Sequence, residues 1–101
     1  MLAIISVLPV GKGASLSKAV AAAVNEIDKS ALDYRLTAMG TVLEGDWEDV
    51  MRVLKKVRDS ALKNSDRVYL TVAIDDRKDR RRRIEAKVRS VEEILGKKLK
   101  K

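Results

Sequence analysis

The sequence predicts an α+β protein whose elements follow the order β-α-β-β-α-β, with an additional helix near the C-terminal end. Residues 2–10 form a nearly continuous apolar run, which is typical of a central strand. Apolar residues then recur every three or four positions between residues 16 and 27, which indicates an amphipathic helix. Residues 67–74 alternate in the way expected of a last strand. Two helices on one face of an antiparallel sheet make a ferredoxin-like sandwich.

The first helix and the hairpin after it have recognisable boundaries. The helix is predicted from Ser15 or Ser17, either of which can cap it, to about Ser30. Two short strands follow, Tyr34–Thr37 and Thr41–Leu43. The connection between them contains a glycine, which suits a tight turn. The hairpin therefore lies at the centre of the predicted fold.

Two further helices are predicted. Asp46 caps the second helix, and the third extends from about Arg80 to Leu95, where Gly96 stops it. The predicted apolar stripes are Trp47, Val50, Leu54, Val57 and Ala61 on the second helix and Ile84, Val88, Val91 and Leu95 on the third. Residues 1–96 then form a single domain, and residues 97–101 a frayed basic tail.

The amino-acid composition excludes several classes of functional site. The 101 residues suffice for one domain and include no cysteine or histidine, which excludes disulfides and thiolate metal sites and removes the commonest general base. An enzyme therefore lacks positive support, because a catalyst would need carboxylates or lysines tuned by burial, and we expect no metal site and no catalytic residue. No apolar run approaches the roughly 20 residues of a membrane span, so a soluble cytoplasmic protein is expected. The high charged fraction, 37%, is common in proteins of hot environments.

The charge of the chain is unevenly distributed. The net charge of +7 comes entirely from residues 76–101, because residues 1–75 contain ten basic and ten acidic side chains. The basic run Arg80–Arg83 leaves open a second function, binding of nucleic acid or another polyanion. Against it, the only aromatic residues are Tyr34, Trp47 and Tyr69, and none lies in an RNA-binding type of motif. Nucleic acid is thus the less favoured partner.

Three short polar stretches have competing readings. The turn VGKGAS lacks the spacing of a nucleotide-hydrolysing loop, although the amides of the following helix could hold an anion. Its serines could cap the helix or, with a neighbouring lysine, act as nucleophiles, and capping is favoured. The acidic group at residues 75, 76 and 79 is interleaved with basic residues, so charge neutralisation and capping are favoured over a cation site.

The predicted strands are apolar on both faces, although two helices can cover only one of them. The other face needs a cover, and the third helix or a second subunit can supply it. We therefore do not expect a lone monomer.

Four segments in the same order resemble the small thiamine-binding proteins: PVGKGASLS, MGTVLEGD, RVYLTVAIDDR and EAKVRSVEEIL. The resemblance covers nearly the whole chain. It implies a ferredoxin-like domain that associates through its sheets into dimers and dimers of dimers. It also implies binding of thiamine or its hydroxymethylpyrimidine half without catalysis, so that thiamine is a ligand and not a cofactor.

The resemblance also implies a set of recurrent polar positions, which serve either as ligand contacts or as contacts that hold the oligomer. In this chain they are Ser15, Ser17, Thr41, Glu44, Asp75, Arg77, Lys87 and Ser90. Thiamine joins an aminopyrimidine to a cationic thiazolium ring, so the Thr41 hydroxyl and the Glu44 carboxylate are expected to serve the pyrimidine and the cation. Ala38 stands where relatives often have proline.

Overall fold

A computed structural model describes residues 1–11, 16–78 and 83–101, with the backbone alone for Arg83. The described elements confirm the α+β class and the ferredoxin-like order, with the additional helix at the end. They are β1 (Leu2–Val10), α1 (Leu16–Lys29), β2 (Asp33–Thr37), β3 (Gly40–Glu44), α2 (Trp47–Leu62), β4 (Arg67–Asp75) and α3 (Arg83–Leu95). The strands form one antiparallel sheet in the order β2-β3-β1-β4.

The register of β1 assigns each strand residue to one of two sheet faces. Ala3 pairs with Leu43 on β3 and with Ile74 on β4, whereas its neighbour Leu2 pairs with Glu44 and Asp75. Paired residues project to the same face, and successive residues project to opposite faces. Odd-numbered β1 residues therefore face α1 and α2, and even-numbered ones face away. We call these two surfaces the helix face and the open face.

The helix face holds the core. Burial of apolar surface there is the main stabilising term, because each fully buried aliphatic side chain contributes about 1.5–3 kcal/mol. The buried apolar residues are Met1, Ala3, Ile5, Val7, Ala23, Ile27, Leu43, Val50, Val53, Val57 and Ala61. The two helices pack side by side over this layer, with α1 over β1 and β2 and α2 over β1 and β4.

The hairpin connection depends on one glycine. Gly40 has a φ of +153°, and a Cβ at this position would lie 2.9 Å from the carbonyl oxygen of Ile5. The Thr37 hydroxyl donates to the carbonyl oxygen of Gly40 at 2.7 Å and accepts from the amide of Met39 at 3.2 Å. These bonds fix the turn that aligns β2 with β3.

The second helix differs from its prediction at its first turn. Asp46 is the N-cap residue, but its side chain makes no capping hydrogen bond. Trp47, predicted on the apolar stripe, is exposed, while Val53 is buried in the core. Val50, three residues before Val53, is fully buried, so the stripe is rotated by part of a turn relative to the predicted one.

The third helix lies on the open face, over β3. Ile84 and Val88 are half-buried, whereas Val91 and Leu95 remain exposed. After α3, Gly96, with φ +69°, reverses the direction of the chain, and the Leu99 amide contacts Glu92 on the helix. Among the described residues, no helix is both long enough and apolar enough to cross a bilayer.

Candidate functional site

A cleft separates α3 from the open face beside β2 and β3. It consists of two adjoining cavities of about 940 Å³ and 330 Å³, both within the range of small-molecule sites. We call the two together the α3 cleft. Apolar side chains on both walls include Leu2, Val42, Ile84, Val88 and Val91.

The smaller cavity is the acidic end of the α3 cleft. Carboxylates from three elements line it: Asp33 on β2, Glu44 on β3 and Glu85 on α3. Asp33 and Glu44 are register partners, so both project from the open face at the same level of the sheet. This end of the cleft is suited to a cationic group.

Glu44 also joins the sheet to the start of α3. Its carboxylate oxygen Oε1 accepts a hydrogen bond from the amide of Ile84 at 3.4 Å. A carboxylate is favourable at this end of a helix, because the first amides lack partners within the helix and the helix dipole is positive there. Glu44 therefore positions α3 over the sheet as well as lining the cleft.

An ion pair divides the two cavities. The Arg35 guanidinium lies 3.8 Å from a carboxylate oxygen of Glu85, and Arg89 lies 3.9 Å from the other oxygen of the same residue. Arg35 and Glu85 line both cavities. All three side chains are largely exposed, so solvent screens these pairs and they can rearrange at little cost.

The larger cavity is the basic end of the α3 cleft, and the chain after α3 forms one of its walls. The Leu99 amide donates to Oε2 of Glu92 at 2.6 Å, and the Lys101 ammonium lies 3.3 Å from the same oxygen. The Leu99 hydrogen bond, followed by the Lys101 contact, lowers the pKa of Glu92. Lys98, Lys100 and Lys101 consequently border the cavity together with Lys87.

The structure brings three of the predicted site residues to the open face. Glu44 lines the acidic end of the cleft and Lys87 the basic end. Asp75 occupies the same cross-strand row as Glu44, with Leu2 between them. Adjacent strands lie about 4.8 Å apart, so the backbones of these two acidic residues are about 10 Å apart.

Other predicted residues lie elsewhere. Thr41 is register partner of Ile5 on the helix face and is only 5% exposed, so it does not lie with Glu44. Ser17 borders a separate groove between α1 and β2. Arg77 is exposed beyond the end of β4, and Ser90 is exposed on α3.

Two predictions fall on residues outside the described ranges. Ser15 precedes α1 within residues 12–15, and the basic run Arg80–Arg83 falls within residues 79–82 and the undescribed side chain of residue 83. Both stay predictions. Among the residues that the structure does describe, no group of three or more carboxylates could hold a metal ion.

Sequence reasoning overlooked Arg35, Glu85 and the tail lysines as cleft residues. Strand alternation was the available signal for Arg35, since it is register partner of Val42 and shares a face with Glu44. No sequence signal was available for the tail, because its position depends on the contact between Leu99 and Glu92.

Comparison with known proteins places this geometry in a family. The family model for thiamine-binding protein matches residues 3–92. A UPF0045 protein of Methanothermobacter thermautotrophicus is 43% identical over 94 residues, covering 90% of this chain and 95% of the relative. A UPF0045 protein of Methanocaldococcus jannaschii is 40% identical over 90 residues, covering 89% of this chain and 90% of the relative.

Solved structures agree with the fold. The crystal structure of the Methanocaldococcus jannaschii protein superposes with a TM-score of 0.82, covering 91% of this chain and 95% of that one. A candidate thiamine biosynthesis/salvage protein of Thermotoga maritima superposes with a TM-score of 0.79 at 23% identity, covering 89% and 96%. At 23% identity, the similarity to the Thermotoga maritima structure shows a shared fold alone.

Proposed function

This chain belongs to the thiamine-binding protein family, and from that premise we propose that the α3 cleft binds thiamine or a related pyrimidine such as hydroxymethylpyrimidine. The observation that supports this proposal most directly is the pairing of apolar walls with an acidic end. Val42 and Val88 approach from opposite sides, and Glu44 lies at the narrow end. Flat rings with one positive charge match such a site.

The polar contacts proposed for the ligand come from the cleft residues and not from Thr41, which is buried on the other face. Asp33 and Glu44 can accept hydrogen bonds from the pyrimidine amino group and attract the thiazolium cation. Arg35 can donate to ring nitrogens from the boundary between the two cavities. The site is thus built by β2, β3 and α3 together.

The proposed role is binding without turnover, in the cytoplasm. General acid–base or nucleophilic catalysis by this chain would depend on carboxylates, lysines or hydroxyls, because the sequence has no histidine or cysteine. The cleft instead presents the mixture of apolar walls and a few charged groups that holds a ligand in one orientation.

We also propose that a second copy of the chain covers the remainder of the open face, giving a homodimer or homotetramer. α3 lies over β3, whereas the β1–β4 half of this face is exposed. Leu8 is 47% exposed there beside its register partner Tyr69, with Thr71 and Ala73 further along β4. An apolar surface of this kind is suited to an identical surface on a partner.

Thermal melting with added ligand tests the proposed function. Thiamine, its phosphates and hydroxymethylpyrimidine are each added up to about 100 times a micromolar Kd, at which a bound ligand stabilises the folded state by about 2.7 kcal/mol. At least one should raise the Tm, with a dependence on concentration that follows the Kd from calorimetry. An unchanged Tm with all of them at millimolar concentration would contradict the proposed function.

A further inference from the structure

The two ends of the α3 cleft carry opposite charge. Six basic and two acidic side chains line the larger cavity, whereas three acidic side chains and one basic side chain line the smaller one. Free thiamine, a cation, satisfies only the acidic end. The basic end would repel it unless the ligand also carried a negative group.

The basic end is held in place by identifiable contacts. Glu92 is 9% exposed, and it binds the Leu99 amide at 2.6 Å and the Lys101 ammonium at 3.3 Å. The amides of Gly96 and Lys97 both donate to the carbonyl oxygen of Glu92, at 2.8 Å and 3.3 Å. The lysine-rich segment is therefore folded back against α3, with Leu99 half-buried at the cleft.

This segment also lies outside the part of the chain that the family model matches, which ends at residue 92. Lys98, Lys100 and Lys101 all line the larger cavity, and Lys87 joins them from α3. Ammonium groups bind phosphate oxygens through charge-assisted hydrogen bonds, which are about twice as strong as neutral ones. The tail lysines thus supply a recognition element that the match to the family does not include.

We propose that the α3 cleft prefers phosphate esters of its ligand, with the cationic ring at the acidic end and the phosphate among Lys87 and the tail lysines. This inference rests on the proposed function and specifies the ligand class of the same site. Glu44 binds the Ile84 amide at the acidic end of the cleft. Glu92, which holds the tail at the basic end, lies eight residues after Ile84 on α3. At 1.5 Å per residue this is about 12 Å along the helix axis. A two-ring compound with a phosphorylated arm is extended in the same way, and its phosphate has a charge of about −1.5 to −2 at neutral pH.

Calorimetry with matched ligands tests the preference. Thiamine is compared with thiamine monophosphate, and hydroxymethylpyrimidine with its phosphate, at low salt and neutral pH. One charge-assisted hydrogen bond corresponds to roughly tenfold or more in affinity, so each phosphate ester should bind at least about tenfold more tightly than its parent. The difference should shrink as salt is added, because the lysines are exposed to solvent.

Two variants remove equal charge. K98Q/K100Q/K101Q changes the tail, and K29Q/K56Q/K63Q changes exposed lysines on α1, on α2 and at the C-cap of α2. The tail variant should lose the preference for phosphate, about tenfold, measured as the ratio of the affinities for phosphate ester and parent in the same variant. The control variant should keep this preference. Unchanged melting confirms that each variant is folded, and a chain lacking residues 97–101 provides a second test of the tail.

The possible failures are distinguishable. If thiamine or hydroxymethylpyrimidine binds and phosphorylation brings no gain, the phosphate preference is overturned while the proposed function stands. The same holds if the tail variant and the control variant lose equal affinity. If neither parent nor phosphate ester binds, the proposed function fails and the preference fails with it.

Discussion

The two faces of the sheet are built from the same strands and differ in almost every other respect. On the helix face, Leu43 is fully buried against Val50 and Val57 in a continuous apolar layer. On the open face, Val42 lies across a charged cleft from α3, and Leu8 is half-exposed. One face therefore provides stability, and the other provides surface that is available for binding. Three of the predicted site residues lie on the second face.

The largest expected effect concerns the exposed half of the open face. Leu8→Asp places a carboxylate where a second copy is proposed to pack, and burying that charge without a partner is costly. The dimer Kd should rise by more than about 100-fold, or about 3 kcal/mol. Sedimentation across a concentration series measures the change.

Leu16 provides the control for this comparison, because at 54% it is about as exposed as Leu8 but lies on α1. Leu16→Asp should leave the oligomer intact. If both variants dissociate alike, or if the unmodified protein is monomeric when concentrated, the open face is not the interface.

The next effect compares identical substitutions on two helices. Val57 on α2 is fully buried under the helix face, whereas Val88 on α3 is half-buried at the cleft. Val57→Ala removes two buried methyl groups and leaves a cavity, so it should lower the free energy of unfolding by about 2 kcal/mol. Val88→Ala should cost about 1 kcal/mol or less. Urea unfolding measures both, and equal costs would show that α3 is part of the core.

A smaller effect is expected from the acidic end of the cleft. Glu44→Gln keeps a hydrogen-bond acceptor for the Ile84 amide but removes the negative charge. The affinity for thiamine should fall about fivefold, as expected for one solvent-screened charge, and that for neutral hydroxymethylpyrimidine should fall less. Glu48→Gln on exposed α2 is the control. Equal losses for the two ligands would exclude a charge contribution from Glu44.

The smallest effect is on the tail and depends on pH. The Leu99 and Lys101 contacts lower the pKa of Glu92, because the folded-back tail stabilises the carboxylate form. The tail should therefore be fully docked at pH values above the ordinary glutamate pKa. Docking is lost as the pH falls through the lowered pKa of Glu92. Lys98 and Lys101 are the cations that face this carboxylate. Release should lower the protection factor of the Leu99 amide, which is its exchange rate compared with the intrinsic rate at the same pH.

Glu92→Gln is the control for this titration. The variant should show no acid transition at the Leu99 amide, because its side chain does not titrate. A Leu99 amide whose exchange stays protected in the unmodified protein at pH values well below the glutamate range would contradict the role of Glu92.

The fold was predictable from local pattern, and the site was not. Alternation along residues 67–74 and the three- and four-residue spacing in α1 identify their elements without knowledge of any contact. Trp47 shows the limit, since spacing alone put it on the apolar stripe and packing left it exposed.

Proximity in sequence does not give proximity in space for the predicted polar residues. Thr41 and Glu44 are three residues apart on one strand, and an odd separation places them on opposite faces. Lys87 and Glu44, 43 positions apart, line the same cleft because α3 crosses the open face. The tail lysines reach the cleft through the reversal at Gly96 and the Glu92 contact, which no periodic pattern encodes.

The most direct test of the α3 cleft as the binding site is a methyl NMR titration with thiamine and thiamine monophosphate. The methyl groups of Val42, Ile84 and Val88 report on the cleft, which these residues line. Those of Val20 and Val24 report on the separate groove between α1 and β2. Saturable shifts confined to the cleft methyl groups are the predicted result. Shifts confined to Val20 and Val24, or no saturable shift in either set, would contradict the account.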